Sequence, residues 1–293
     1  MNTKPWTIKS VLTWTTDYFK EKSIESPRLS AEILLAETLG LNRIDLYVQF
    51  DRPLDKTELK TYKDKILRRA QHEPVAYIVG TKDFWQSTFG VSPHVLIPRP
   101  DTETLVETAI NYINHQKYSL RILELGVGSG AISVSLAREC PDHNFFATDS
   151  SCLAIQQASE NALSILNQNH PIQFIVSDWF SALANLYPFD LIISNPPYIP
   201  SHEIQKLQPD IFQYEPLTAL DGGSDGLNAF RMIIEEASGY LILDGTLMLE
   251  MGFDQGVDIQ KLVDSNPDYT DMKIIKDDAG HDRVAVITSQ GII

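Results

Sequence analysis

Apolar residues in the first third of the chain recur at helical spacing. Ile8, Val11, Leu12 and the stretch Trp14 to Phe19 form one amphipathic start. Arg28 to Leu39 forms a second, with Ile33, Leu34, Leu35 and Leu39 apolar and Gly40 placed to end it in a left-handed turn. Lys56 to Gln71 forms a third, with Leu59, Tyr62, Ile66 and Leu67 in register and Lys56, Lys60, Lys63, Lys65, Arg68 and Arg69 on its other faces. Two short β-rich runs follow, Tyr77–Gly80 and Phe84–Phe89, which read as strands around a turn. From residue 120 strand and helix patterns alternate. Strands are expected at Arg121–Leu125, Phe145–Asp149, Ile172–Ser177, Phe189–Asn195, Thr246–Met251, Met272–Lys276 and Arg283–Thr288, with helices at Ala131–Glu139, Cys152–Leu166 and Asn228–Leu241. Such alternation requires right-handed crossovers and gives an α/β fold, a mostly parallel seven-stranded sheet covered on both faces. The expected organisation is a helical domain over 1–73, a β-hairpin linker over 74–98 and an α/β domain over 99–293.

Charge supports that division. Residues 1–98 carry 14 Lys and Arg against 12 Asp and Glu, whereas residues 99–293 carry 10 against 27. The α/β segment, at net −17, lacks the clustered cations that coating nucleic acid demands. The two cysteines, Cys140 and Cys152, exclude a disulfide framework or a four-thiolate metal site and suit a reduced, cytoplasmic setting. No metal ligands are assigned. The N-terminus has no apolar core of a secretory signal and no run reaches 18 apolar residues, so no membrane association is expected. Repeats and low-complexity tracts are absent.

In open parallel sheets ligands bind at the carboxyl ends of strands. There the first strand runs through Glu124 and Leu125 into Gly126-Val127-Gly128-Ser129-Gly130 and then a helix. Glycines allow a tight turn against a ligand, and the helix N-terminus presents unpaired N–H groups. Asp149, 23 residues beyond Gly126 at the end of the next strand, is placed to accept hydrogen bonds from ribose hydroxyls. The spacing also fits a dinucleotide fingerprint, but Glu124 just before the first glycine would repel a pyrophosphate. A carboxylate there suits a ligand bearing an amino group or a sulfonium, such as S-adenosylmethionine. Trp179, past the third strand, offers an aromatic wall for adenine, or else ordinary packing.

Asn195-Pro196-Pro197-Tyr198 follows the apolar strand Leu191-Ile192-Ile193. Two prolines remove backbone donors and stiffen a rim of carbonyl acceptors, to which Asn195 adds its side chain. Such a rim can hold an NH₂ group by both hydrogens, while Tyr198 stacks on the planar group that bears it. Methylation of a weakly nucleophilic nitrogen needs that arrangement; a proline-stiffened loop is the bland alternative.

The chain resembles the release-factor glutamine methyltransferases of the HemK/PrmC type, within the class I, Rossmann-like methyltransferases. The likeness runs through Pro74-Val75-Ala76-Tyr77-Ile78-Val79-Gly80, Phe84-Trp85, Leu96 to Glu103, Glu124-Leu125-Gly126, Ser177-Asp178-Trp179-Phe180, Asn195 to Pro200, and Tyr214-Glu215-Pro216 to Asp225-Gly226-Leu227. The resemblance implies that the glutamine of the Gly-Gly-Gln motif in class I peptide chain release factors is converted to N5-methylglutamine. It implies cofactor contacts at Glu124, Leu125, Gly126, Val127, Gly128, Asp149, Trp179 and Asn195, and catalytic and substrate contacts at Asn195, Pro196, Pro197 and Tyr198. Many relatives carry Asp where this chain has Glu124 and Thr where it has Val127.

The strongest competitor is an adenine-N6 methyltransferase of DNA or RNA, because that class shares the Asn-Pro-Pro-Tyr turn. It would need a basic target-recognition segment, and the acidic balance of residues 99–293 argues against one. A non-catalytic cofactor-binding adaptor is disfavoured by the intact turn, and an NAD-dependent oxidoreductase by Glu124. The basic helix Lys56–Gln71 is either a solvated face or the surface that docks the release factor.

Overall fold

The computed structural model describes residues 5–168, 170–183 and 188–290. The chain divides into two units, Met1–Gly80 with Gln208–Tyr214, and Thr81–Leu207 with Glu215–Ile293.

The first unit is helical. Ile8–Glu21 starts on a capping box between Thr7 and Ser10. Pro27–Leu39 opens on proline and closes on Gly40, whose φ of 62° only glycine adopts without strain. Lys56–Arg69 is capped by the Asp55 carboxylate, which accepts from the backbone N–H of Thr57 and Glu58 at 2.7 and 2.8 Å. Between them lies Arg43–Val48, a helix the apolar pattern did not predict. Leu12, Phe19, Leu34, Leu35, Leu46, Tyr62 and Ile66 form the common core.

Two expectations need correction here. Tyr77–Gly80 is not a strand: Val75–Val79 is a short helix, entered from Pro74 and ended by Gly80 at φ 79°. A five-residue apolar run has no resolvable period, and burial of Ile78 in the helical core decides the outcome. Arg69 does not lie on an open basic face. It is 4% exposed and hydrogen-bonds the carbonyls of His72 and Glu73, with Asp210 at 3.5 Å. Lys65 is half-buried near Glu37, and Arg68 pairs with Glu73, so Lys56, Lys60 and Lys63 carry the exposed charge.

In the second unit a hairpin, β1 (Thr81–Phe84) and β2 (Ser87–Gly90), turns at Trp85 and Gln86. The continuous strand expected over Phe84–Phe89 is therefore broken in its middle. Trp85 takes a left-handed φ of 50°, and its N–H donates to Glu103 at 2.9 Å, a tertiary contact that local propensity does not reveal. All seven expected strands of the main sheet form: β3 (Arg121–Leu125), β4 (Asn144–Asp149), β5 (Ile172–Val176), β6 (Phe189–Ser194), β7 (Leu241–Glu250), β8 (Tyr269–Lys276) and β9 (Asp282–Ser289). Their order is β5-β4-β3-β6-β7-β9-β8, with β9 antiparallel to both neighbours and the rest parallel.

Side chains alternate across this sheet. Ile122 joins a core with helices Glu103–Asn114, Ala131–Glu139 and Cys152–Leu166; Leu123 and Leu125 join another with Asn228–Ala237 and Gly256–Asp264. The connections run one way from β3 to β4 and β5 and the other way from β6 to β7. The carboxyl ends of β3 and β6 thus form the topological switch point, where open α/β sheets bind ligands. Asn161 braces this end. It accepts from Gly90 N–H at 2.8 Å and donates to the carbonyls of Gly90 and Ser129, at 2.9 and 2.7 Å. Among the described residues, no helix is long and apolar enough to cross a membrane.

Candidate active site

A cavity of about 580 Å³ opens at the switch point. The glycine loop forms its floor. Gly126, Gly128 and Gly130 have φ of 73°, 53° and 82°, and a Cβ on Gly126 or Gly128 would meet nothing within 4 Å. These two glycines therefore serve backbone conformation, not packing, and open space lies beside them. The Asp149 carboxylate secures the loop, accepting from Gly128 N–H at 3.0 Å and from Ser151 N–H at 2.9 Å. Each oxygen keeps a second lone pair for a ligand hydroxyl.

Glu124 lines the same cavity at 1% exposure. Its Oε2 accepts from both the backbone N–H, at 2.9 Å, and the hydroxyl of Ser133, in the first turn of helix Ala131–Glu139. Burial pushes its pKa up to about 8; the Ser133 hydrogen bonds oppose this and the Asp149 charge adds to it. The cavity thus holds a carboxylic acid that a cation would ionise.

Asn195, Pro196 and Pro197 also line the cavity, just past the end of β6, which pairs with β3. Asn195 Nδ2 donates to Thr102 Oγ1 at 3.2 Å, so its Oδ1 is the end of the amide turned away from Thr102. Trp179 also lines the cavity, on a left-handed backbone at φ 48°, with its carbonyl accepting from Ser177 Oγ at 2.8 Å. A bulky residue held there costs about 1–3 kcal/mol of strain, as found at ligand clamps.

Of the residues singled out from sequence, Glu124, Gly126, Val127, Gly128, Asp149, Trp179, Asn195, Pro196 and Pro197 come together around the cavity. Two do not reach its wall. Leu125 is fully buried in the core beyond the sheet, and its carbonyl accepts from Ser194 Oγ at 2.8 Å. Tyr198 packs partly buried against the same core; burial, then the nearby Glu250 charge, push its phenol up to about 12.

Several supporting residues escaped the sequence reading. Glu215, 1% exposed at its side chain, pairs with Arg99 and accepts from Ile97 N–H at 3.2 Å, holding the Leu96–Arg99 wall. Gln255 donates through Nε2 to the carbonyls of Tyr198 and Gly226, at 3.1 and 3.2 Å, and pins the end of the turn. Ser133 sits nine positions after Glu124 in a stretch that reads only as a helix start. A signal did exist for Arg99, Thr102 and Glu215, since they lie in the Arg-Pro-Asp-Thr-Glu and Tyr-Glu-Pro stretches, but spacing alone assigned them no role.

The fold and this cavity define a methyltransferase: residues 102–214 match the methyltransferase small domain family and residues 10–80 the PrmC N-terminal domain family. The release factor glutamine methyltransferase of Geobacter sulfurreducens is 42% identical over 288 residues, covering 97% of this chain and 98% of that protein. The protein of the same description from Rhodopirellula baltica is 37% identical over 287 residues, covering 97% and 96%. A solved methyltransferase from Pyrococcus furiosus shares the fold, with a TM-score of 0.50 at 20% identity over 70% of this chain and 89% of that one. The chain belongs to the release factor glutamine methyltransferase family.

Proposed function

We propose that this protein transfers a methyl group from S-adenosylmethionine to the side-chain amide nitrogen of the glutamine in the Gly-Gly-Gln motif of class I release factors, in the cytoplasm. The observation that carries the reading is one cavity lined both by a buried carboxyl, Glu124, and by the acceptor rim Asn195-Pro196-Pro197. The donor set fits the cofactor. Glu124 Oε1 would take its ammonium group, Gly126 and Gly128 would let it lie on the backbone, Asp149 would accept from its ribose, and Trp179 would flank its adenine. Leu125 contributes only backbone, and Val127 forms wall.

When bound, the cofactor supplies an electrophilic methyl group on sulfonium. The protein's part is placement. An amide nitrogen is a poor nucleophile because its lone pair is delocalised into the carbonyl. Asn195 Oδ1 and a carbonyl of the proline turn accept the two amide hydrogens, orient the nitrogen and favour the positive charge that grows on it. No general base is needed, since the proton becomes acidic once the bond forms. Tyr198 acts from behind the turn, keeping it rigid.

The exposed cations of helix Lys56–Arg69 provide a docking face for the protein substrate, in a helical domain over 1–73 joined through 74–98 to the catalytic domain 99–293. The test is single-turnover transfer from labelled S-adenosylmethionine to release factor, with duplex DNA as the comparison substrate. Asn195→Ala, with both ligands saturating, should lose about 10²–10³ in rate, the cost of one electrostatic contact of this kind. A rate within about threefold of wild type, under 1 kcal/mol, would refute the assignment.

A further inference from the structure

Glu250 ends β7, one residue past Leu249, which pairs with Ser194 of β6. Glu250 and Asn195 are therefore neighbours at the carboxyl ends of adjacent parallel strands. The Glu250 side chain is 1% exposed, and among the described residues neither of its oxygens has a hydrogen-bond partner. A buried carboxylate without partners is costly and calls for an explanation. Around it stand the Thr102 hydroxyl and the Asn195 amide, near enough to draw its pKa down yet outside hydrogen-bond geometry. The charged and titratable groups facing it are Arg283 of β9, Asp101 of the Pro100–Thr102 turn and Tyr198. Arg283 is itself engaged by Asp101 at 3.0 Å and Asp277 at 3.1 Å, which leaves Glu250 without a dedicated cation.

The two ends of an asparagine amide have nearly the same shape, so sterics do not decide which end meets the substrate. Electrostatics can. An ionised carboxylate only accepts, and a hydroxyl bonded to it must turn its own lone pairs outward. We propose that Glu250 is a positioning residue that draws Asn195 Nδ2 inward, directly and through Thr102, and so presents Oδ1 to the substrate NH₂. The inference rests on the reading of Asn195 as the substrate acceptor. Donation from Asn195 Nδ2 to Thr102 Oγ1 is the half of this relay already formed. Once protonated, Glu250 can donate to Asn195 Oδ1, and the reverse amide orientation becomes the favoured one. Burial, the largest influence, pushes the Glu250 pKa up to about 7, so the relay changes state near neutrality.

The test is single-turnover methyl transfer from pH 6 to 9 with release factor and S-adenosylmethionine saturating, which keeps Glu124 in one state throughout. The wild-type rate should rise about tenfold in all between pH 6 and pH 9, reaching half its plateau near pH 7. Glu250→Gln, which can donate at every pH, should be at least tenfold slower at pH 8 with a flat profile and unchanged cofactor affinity. Thr102→Val should show the same defect, Thr102→Ser should restore the rate to within threefold, and Glu250→Gln combined with Thr102→Val should be no slower than either alone. These Thr102 measurements decide the matter if Glu250→Gln does not fold. A slow Asn195→Ala beside a Glu250→Gln of wild-type rate and profile overturns the relay alone. An Asn195→Ala of wild-type rate overturns the relay and the catalytic reading together.

Discussion

Replacing Glu124 by Gln keeps the shape of the side chain and removes its ability to ionise. With the folded pKa near 8, about nine-tenths of cofactor-free protein carries a neutral Glu124 at pH 7. Binding a cationic ligand favours the carboxylate, so wild type should release about 0.9 proton per cofactor at that pH. Ionising the group costs about 1.4 kcal/mol at one unit below its pKa. Cofactor affinity should accordingly rise about tenfold per unit up to pH 8 and then level off. Removing one partner of a buried, hydrogen-bonded charge pair costs about 2–5 kcal/mol. Less that ionisation term, Glu124→Gln should weaken binding at pH 7 by about 0.6–3.6 kcal/mol, roughly threefold to several hundredfold.

Titration calorimetry at pH 7 in phosphate and in Tris measures affinity and proton release together. The cofactor's own amino group contributes equally to both proteins, so the difference of about 0.9 proton isolates Glu124. Equal proton release by wild type and Glu124→Gln, with equal affinity, would show that no cation reaches this carboxyl. The case against a dinucleotide would fail with it.

Arg69→Glu should destabilise the protein by about 3–5 kcal/mol in urea denaturation, because it sets a buried carboxylate against Asp210 and two carbonyls; Lys63→Glu, on the exposed face, should change stability by less than about 0.5 kcal/mol. If Lys56, Lys60 and Lys63 dock the substrate, reversing all three to Glu should raise KM for release factor in a salt-dependent manner and leave S-adenosylmethionine binding unchanged; an unaltered KM at low salt would refute this. The stability of cofactor-free protein should fall from pH 4.5 towards pH 8, then level. Glu124 and Glu250 both have folded pKa values raised above the unfolded 4.5, to about 8 and about 7, so the folded state binds the extra protons. Thermal unfolding across that range checks the sign, and Glu250→Gln should remove about 3 kcal/mol of the fall, the worth of the rise from 4.5 to about 7.

The centre of the main sheet was legible because a strand such as β6 is a short apolar run buried on both faces, whereas the edge strand β8 mixes buried and exposed positions. Leu191, Ile192 and Ile193 are fully buried in β6, as their uniform hydrophobicity implies. The hairpin region was harder. Val75–Val79 and Phe84–Phe89 have similar β propensity, and tertiary contacts, Ile78 in the helical core and Trp85 on Glu103, make one a helix and put a turn in the other. Arg69 misled for the opposite reason. At the end of a basic helix it looks solvated, and only a segment 141 residues further on, bearing Asp210, reveals that it is covered.

The candidate site divides in the same way. Residues that line the cavity come largely from contiguous motifs, and their chemistry shows in the motif itself: glycines without side chains, prolines without donors, a carboxyl beside the loop. Residues that set those groups in position come from elsewhere in the chain and have ordinary surroundings in sequence. Glu250 lies 55 positions beyond Asn195, in a strand whose pattern reads only as buried β. In a parallel sheet, the residue just past the end of one strand stands beside the ends of its neighbours, however distant in the chain. The parallel register of β6 and β7 therefore converts an ordinary acid at a strand end into the neighbour of the Asn195-Pro196-Pro197 turn. A strand-final carboxylate next to an acceptor turn is hence the feature to seek when the sheet order is known, because burial there without a partner costs stability that only the site can offset.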